Sequence, residues 1–251
     1  MRILVIGGSG YVAGLILPHL SRQHTIRIYD RRQPAFSEAE YVTGEVTDFD
    51  AVAQAAQGCD ALLYMAMGRY LPIGEPYAEH VDALMTSLDA NVKGVYVSLY
   101  TARHAGIEHA VYTSSMSVYD ERSLRDRYFP NEDVAPDACD IYGFTKRLGE
   151  MVCQNACRDL GVSVNALRLC WPVPEERWQQ IAQQADGPVL ATTDTDLARA
   201  VQAALERRFG GFEAFMISGD YDGKIMNMSK AKRMLDWEPL ARPLPLLSEN
   251  R

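Results

Sequence analysis

The chain of 251 residues is long enough for one large α/β domain, and its 47% hydrophobic content supplies a substantial core and argues against disorder. Lys and Arg number 25 against 33 Asp and Glu, a net charge of −8 with the acids dispersed, so no basic stripe stands ready for phosphates and a nucleic-acid partner is not expected. Cys59, Cys139, Cys153, Cys157 and Cys170 are odd in number and lack the paired spacing of a secreted scaffold or a zinc site, so they read as reduced thiols of a cytoplasmic protein that holds no metal.

Arg2–Ile6 reads as a buried strand, and no long apolar region or cleavage site accompanies it, so neither export nor a membrane span is expected. Tyr11–Gln23 has a helical period, Thr25–Tyr29 is a second strand and Tyr41–Val46 a third. Asp48 offers an N-cap for a helix over Phe49–Gln57, and a fourth strand follows at Ala61–Met65. Next come a long helix, roughly Pro76–Ala105, and a fifth strand, His109–Ser114. A charged, proline-containing loop over Asp120–Asp140 leads to a helix carrying Tyr142 and Lys146, and then to a sixth strand at Ser163–Leu169. A proline-rich turn at Trp171–Pro174, a helix near Thr195–Arg208 and a late strand at Phe215–Ser218 complete the order, with the proline-rich tail to Arg251 expected along the surface. Short apolar runs alternating with helical periods indicate an α/β fold with a doubly wound parallel sheet covered on both faces.

Gly7-Gly8-Ser9-Gly10 follows the first strand and opens a helix at Tyr11 and Val12, which is the context a dinucleotide-binding turn requires. Gly7 permits the tight bend and Gly10 the close approach of backbone to a pyrophosphate at a helix N-terminus. Asp30, at the end of the second strand, can accept hydrogen bonds from ribose hydroxyls and repel a 2′-phosphate, which favours NAD. Arg31 and Arg32 follow at once and can embrace a phosphate instead, so NADP stays open. Tyr142 and Lys146 stand one helical turn apart on one face, where an ammonium favours the phenolate of its neighbour and lowers its pKa. The same pair also suits a solvated helix face with a half-buried tyrosine; the glycine turn and the serine cluster before the pair are what point to redox chemistry.

These motifs, in this order, resemble the extended short-chain dehydrogenase/reductases, the NAD-dependent epimerase/dehydratase group. The glycine pattern is Gly7-x-x-Gly10-x-x-Ala13, with alanine in the third place; Glu45-Val46 resembles the acidic-aliphatic pair that contacts adenine, and Tyr64-Met65-Ala66-Met67 the segment ending the fourth strand. Asn91-Val92-Lys93-Gly94 and Thr113-Ser114-Ser115-Met116-Ser117-Val118-Tyr119 match two further family motifs. The resemblance implies a Rossmann-type domain over 1–251, with about 171–195 and 219–251 forming a small C-terminal substrate lobe. It implies Tyr142 as general acid/base, Lys146 as the charge that tunes it and holds the nicotinamide ribose, Ser115 on the reacting oxygen with Met116 beside it, and Asn91 as a fourth, weaker candidate. A homodimer is expected through the long helix near Asn91 and the helix of Tyr142, with Leu88, Val95, Leu99, Leu148 and Val152 on their outer faces.

The short stretch after the sixth strand argues for a small-molecule substrate and looks like the uronate dehydrogenase type, which oxidises a hexuronic acid at its anomeric carbon. A substrate carboxylate would need a cation: Arg177 is the first candidate and Arg69, at the carboxyl end of the sheet, the second. Trp171 and Trp178 suit either stacking on a sugar or packing. Two other readings stay open: a sugar or sugar-nucleotide epimerase or reductase of the same group, and a non-catalytic protein that senses NAD(P)H.

Overall fold

A computed structural model of the protein describes residues 1–69 and 80–244. Seven strands form one parallel sheet: β1 (Arg2–Ile6), β2 (Thr25–Asp30), β3 (Glu40–Thr43), β4 (Ala61–Tyr64), β5 (His109–Ser115), β6 (Ser163–Leu169) and β9 (Phe212–Ile217), in the order β3-β2-β1-β4-β5-β6-β9. Two residues each make the short parallel pair β7 (Pro172–Val173) and β8 (Thr192–Thr193) beside it. The helices are α1 (Tyr11–Leu20), α2 (Phe49–Ala56), α3 (Val81–Leu88), α4 (Gly94–His104), α5 (Ile141–Leu160), α6 (Glu175–Gln184), α7 (Asp194–Glu206) and α8 (Ser229–Leu235). No helix among the described residues is long and apolar enough to cross a membrane.

Strand alternation divides the core. Ile3 and Val5 of β1 face α1, α7 and α8, while Leu4 and Ile6 face α2, α4 and α5, so each face of the sheet buries its own apolar layer. The strand order reverses direction between β1 and β4, which opens a crevice at the carboxyl ends of both.

Several boundaries differ from those the sequence predicts. The third strand stops at Thr43 instead of Val46, because the chain at Gly44 packs onto the hydroxyl of Tyr29, where a Cβ would lie 2.1 Å away; 44–46 then turn out to rim the crevice. The first helix ends at Leu20, three residues early. The long helix is α3 and α4 joined through a π-helical turn at Asp89–Lys93; its predicted start at Pro76 falls outside the described residues. Val95 and Leu99 are 1% and 2% exposed and belong to the core, not to an outer face as expected; Tyr96 on α4 and Phe144 and Met151 on α5 carry the exposed apolar surface instead. Helix α6, absent from the sequence reading, hides behind a polar composition whose buried anchor is Trp178. Nor does the tail simply lie on the surface. Trp237 is buried, and the Asp196 carboxylate accepts the backbone N–H groups of Leu240 (2.9 Å) and Ala241 (3.0 Å); residues beyond Leu244 lie outside the described ones.

Candidate active site

The bend after β1 depends on Gly7. Its φ of +85° is one that only glycine adopts without strain, and a Cβ there would sit 2.3 Å from the amide nitrogen of Ala66 after β4. The Gly7 N–H is tied back to the Tyr29 carbonyl at 3.0 Å. Gly10 is the extended N-cap of α1, so the first-turn N–H groups, which have no partner within the helix, open toward the crevice. Asp30 braces this turn: its carboxylate accepts from the Ser9 N–H at 3.0 Å and the Arg32 N–H at 2.9 Å. Two of its lone-pair positions are thereby used and two remain. Arg31, Glu45, Val46 and the stretch Met65, Ala66 and Met67 line the same trough as Gly7, Gly10 and Asp30.

Met65 and Met67 also line a second, larger cleft, which they share with Tyr11, Val12, Ser115, Met116, Tyr142 and Lys146. The two depressions therefore form one path along the carboxyl edge of the sheet. Helix α5 is set against the exit of β5 by Asp140, whose side chain caps the Gly143 N–H at 2.9 Å. Gly143 allows that approach, because a Cβ there would lie 2.1 Å from the Ser117 carbonyl oxygen. The fit places Tyr142 in the cleft with Ser115, which is buried, donates to the Ser117 hydroxyl at 3.0 Å and accepts from the Ser117 N–H at 3.1 Å.

Lys146 is 3% exposed. Its ammonium donates to the Thr113 carbonyl at 2.8 Å and lies 6.0 Å from the Tyr142 ring centroid and 5.1 Å from that of Tyr112. Burial pulls its pKa from 10.5 down to about 8, with the nearby Glu150 carboxylate acting in the opposite direction. Below this site runs a buried ion pair. Glu150 binds Arg168 through two bonds, at 2.9 and 2.8 Å, and also accepts the Ser114 hydroxyl at 2.6 Å, so β5, β6 and α5 meet at one carboxylate.

The structure brings Ser115, Tyr142 and Lys146 into the lining of one cleft, and three other candidates stand apart. Asn91 is fully buried behind the cleft, its amide donating to the Thr145 hydroxyl at 2.9 Å. Its position ties the π turn to α5 one residue before Lys146. Arg69 pairs with Asp82 at 2.9 Å and Arg177 hydrogen-bonds Gln180 at 3.0 Å; both are exposed and neither lines the cleft. Besides Lys146, the cation that lines it among the described residues is Arg125, which sequence reasoning missed. It lies in the charged loop, where spacing alone does not separate a cleft residue from a surface one. Trp171 lines the cleft, whereas Trp178 is core.

A model of the NAD dependent epimerase/dehydratase family matches residues 3–183. An uncharacterized protein of Sinorhizobium fredii is 31% identical over 168 residues, 66% of this chain and 39% of its own length. The 3 beta-hydroxysteroid dehydrogenase/Delta 5-->4-isomerase of Mycobacterium tuberculosis is 36% identical over 121 residues, 47% of this chain and 32% of its own. The chain thus spans only 32–39% of the length of these curated relatives. Among solved structures, a glucuronic acid dehydrogenase from Chromohalobacter salexigens superposes with a TM-score of 0.78 at 20% identity, covering 96% of this chain and 84% of that one. At that identity the likeness is one of fold.

Proposed function

Because the chain belongs to the NAD-dependent epimerase/dehydratase family, we propose that it is an NAD-dependent oxidoreductase acting on a sugar or sugar derivative, and within that class on a small sugar acid such as a hexuronate. One observation carries the reading: a continuous path along the sheet edge joins a glycine turn and a β2 carboxylate to a serine, a tyrosine and a buried lysine.

The residues present suit the cofactor. Gly7 and Gly10 keep side chains out of the trough where a pyrophosphate would meet the α1 N-terminus, and Tyr11 and Val12 continue that turn. Asp30 keeps lone pairs for ribose hydroxyls, with Arg31 beside it. Glu45 and Val46 flank the adenine end, and Met65, Ala66 and Met67 line the way to the cleft. When bound, the nicotinamide supplies the hydride acceptor. The protein supplies the proton traffic and the geometry. In the oxidative direction Tyr142 takes the proton of a substrate hydroxyl while the carbon bearing it loses hydride, leaving a carbonyl or, from a cyclic hemiacetal, a lactone. Ser115, held by Ser117, hydrogen-bonds the reacting oxygen and fixes its direction. Lys146 sits in a dry site where its charge is costly, so a phenolate at Tyr142 and an ammonium at Lys146 stabilise each other. Asn91 acts from behind, by setting α5. The reading includes a homodimer through α4 and α5.

The test is direct. NAD or NADP is combined with a panel of hexuronates, aldoses and sugar nucleotides, and absorbance of the reduced cofactor is followed together with product identity. Reduced cofactor released with an oxidised sugar acid is the expected result, with NAD preferred. An epimerised product without net reduction points to the sister chemistry of the family. Absence of both cofactor binding and turnover across the panel would end the proposal.

A further inference from the structure

Trp171 has features that packing does not explain. Its φ of +39° lies in the left-handed region, which a bulky residue occupies at a cost on the order of 1–3 kcal/mol. The backbone is pinned on both sides of it: the Cys170 N–H donates to the Ile217 carbonyl at 2.9 Å, the Thr192 hydroxyl to the Cys170 carbonyl at 2.8 Å, and the Thr192 N–H to the carbonyl of Trp171 itself at 3.1 Å. The side chain held in this way does not enter the core. Trp178 and Trp237 are buried and donate their indole N–H groups to the carbonyls of Ala191 and Asp196, each at 2.8 Å. Trp171 is 50% exposed, its indole N–H has no partner among the described residues, and it lines the cleft beside Tyr142 and Ser115.

A second, independent contrast comes from the loop before α5. Of its three neighbouring arginines, Arg122 is neutralised by Asp120 at 2.7 Å and Arg127 by Asp137 at 2.6 Å. Arg125, between them, has no ion pair among the described residues, and it lines the cleft. Arg125 is exposed, and the wall beside it includes the apolar Met116, Leu124 and Leu190, so the guanidinium is the group there that can meet an incoming anion. An exposed aromatic face, a free indole donor and an unclaimed planar cation therefore border the space into which Tyr142 and Ser115 project.

We infer that Trp171 and Arg125 form a substrate-selecting pair: the indole face stacks on the C–H face of a pyranose-sized ring, and Arg125 receives an anionic substituent of that ring, a carboxylate or a phosphate. The inference rests on the cleft being the hydride-transfer site and narrows its substrate to acidic monosaccharides. Aromatic rings supply rigid apolar area at low entropic cost, and the arginine fork matches the two oxygens of either anion. The backbone strain at Trp171 is then the cost of aiming the indole at the substrate.

The full chain, alone and with ADP-ribose as a cofactor fragment that cannot exchange hydride, is titrated with glucuronate, glucose 6-phosphate and glucose while intrinsic fluorescence is followed. Trp178 and Trp237 are buried, so a ligand that covers an indole covers Trp171. NAD affinity is measured on the same samples by calorimetry. At least one acidic sugar is expected to give a saturable change with an affinity about tenfold or more above that of glucose; a response to glucuronate alone assigns the carboxylate, and one to glucose 6-phosphate alone the phosphate. Trp171→Phe should lose the fluorescence change. Arg125→Gln should bring acidic and neutral sugars to within about twofold of each other, because only the charge-dependent part of the affinity goes. Trp171→Gly, which accepts the positive φ without strain, should bind acidic sugar at least about tenfold more weakly while its melting temperature stays near wild type. The pair is refuted if neither acidic sugar binds while NAD does, or if the acid preference survives in Arg125→Gln. Failure to bind NAD counts instead against the oxidoreductase reading, so the two failures are told apart.

Discussion

Lys146 pays for its position. A lysine ammonium in water loses its proton near 10.5, and burial in the wall of the cleft brings that down to about 8. The native pKa lies below that of the unfolded chain, so below about 8 the protonated amine is a full penalty on folding, and the penalty fades as pH rises from about 8 to 10.5. The size of the effect is about 3 kcal/mol. Urea denaturation across that window should therefore show wild type gaining stability relative to Lys146→Met as pH rises; parallel curves would mean the amine is not desolvated. At Tyr142 the expectation is catalytic. Tyr142→Phe removes the proton carrier and should cut kcat by about 100-fold or more while calorimetric NAD affinity changes little; retained turnover would take the role away from the phenol. Both residues were legible in the sequence because a helical interval fixes a shared face wherever the helix sits. Arg125 was not, because in an irregular loop nothing in the residue order says which of three arginines will be left without an acid.

Helix α5, which carries Tyr142 and Lys146, is held by close packing and by one buried ion pair. Replacing a helical glycine by alanine ordinarily gains about 0.5–1 kcal/mol. At Gly149 a Cβ would stand 2.2 Å from the Tyr112 hydroxyl and 2.7 Å from the Asn91 carbonyl oxygen, one of the carbonyls of the π turn. Gly149→Ala should therefore destabilise by about 1–3 kcal/mol, measured by denaturation, since α5 must move away from both β5 and the π turn. At the next residue, Glu150→Ala would leave the buried Arg168 charge without its carboxylate, holding only the Tyr119 hydroxyl and the Glu132 carbonyl, and should cost about 3–5 kcal/mol, more than a double replacement of Glu150 and Arg168 by leucine and methionine. A double-mutant cycle measures the difference, and equal losses would deny the pairing. Strands were read most faithfully where apolar runs met a glycine or an acid, as at β1 and β6. The third strand was overextended because Val46 continues its apolar alternation, although the chain has already turned at Gly44 to clear Tyr29. Helix α6 was missed because its sequence, Glu-Glu-Arg-Trp-Gln-Gln, hides one deep anchor among solvated residues. The π turn has no local signature at all; it is set by packing, with Gly94 admitting the Tyr64 hydroxyl, which donates to the Ala90 carbonyl.

At the scale of the molecule, what remains is the apolar surface left uncovered. Phe144, Leu148 and Met151 follow one another at helical spacing on α5, with Phe144 and Met151 41% and 61% exposed, and Tyr96 on the neighbouring α4 is 42% exposed. A stripe of this kind on two adjacent helices matches the core of an isologous interface, in which each helix meets its own copy. The same helix carries Tyr142 and Lys146 on its inner face, so pairing through α5 would stiffen the element that carries the groups proposed for proton transfer. The chain is expected to scatter light as a dimer, and Met151→Glu, which places a charge at the middle of the paired surface, should return it to a monomer whose fold is intact by circular dichroism. If dimerisation supports the site, the monomer should also lose thermal stability and part of its kcat while NAD affinity, which the proposed function assigns to the trough of Gly7 and Asp30, stays unchanged. A wild-type chain that scatters as a monomer at every concentration, with an activity indifferent to Met151→Glu, would leave the α4 and α5 surface without this purpose.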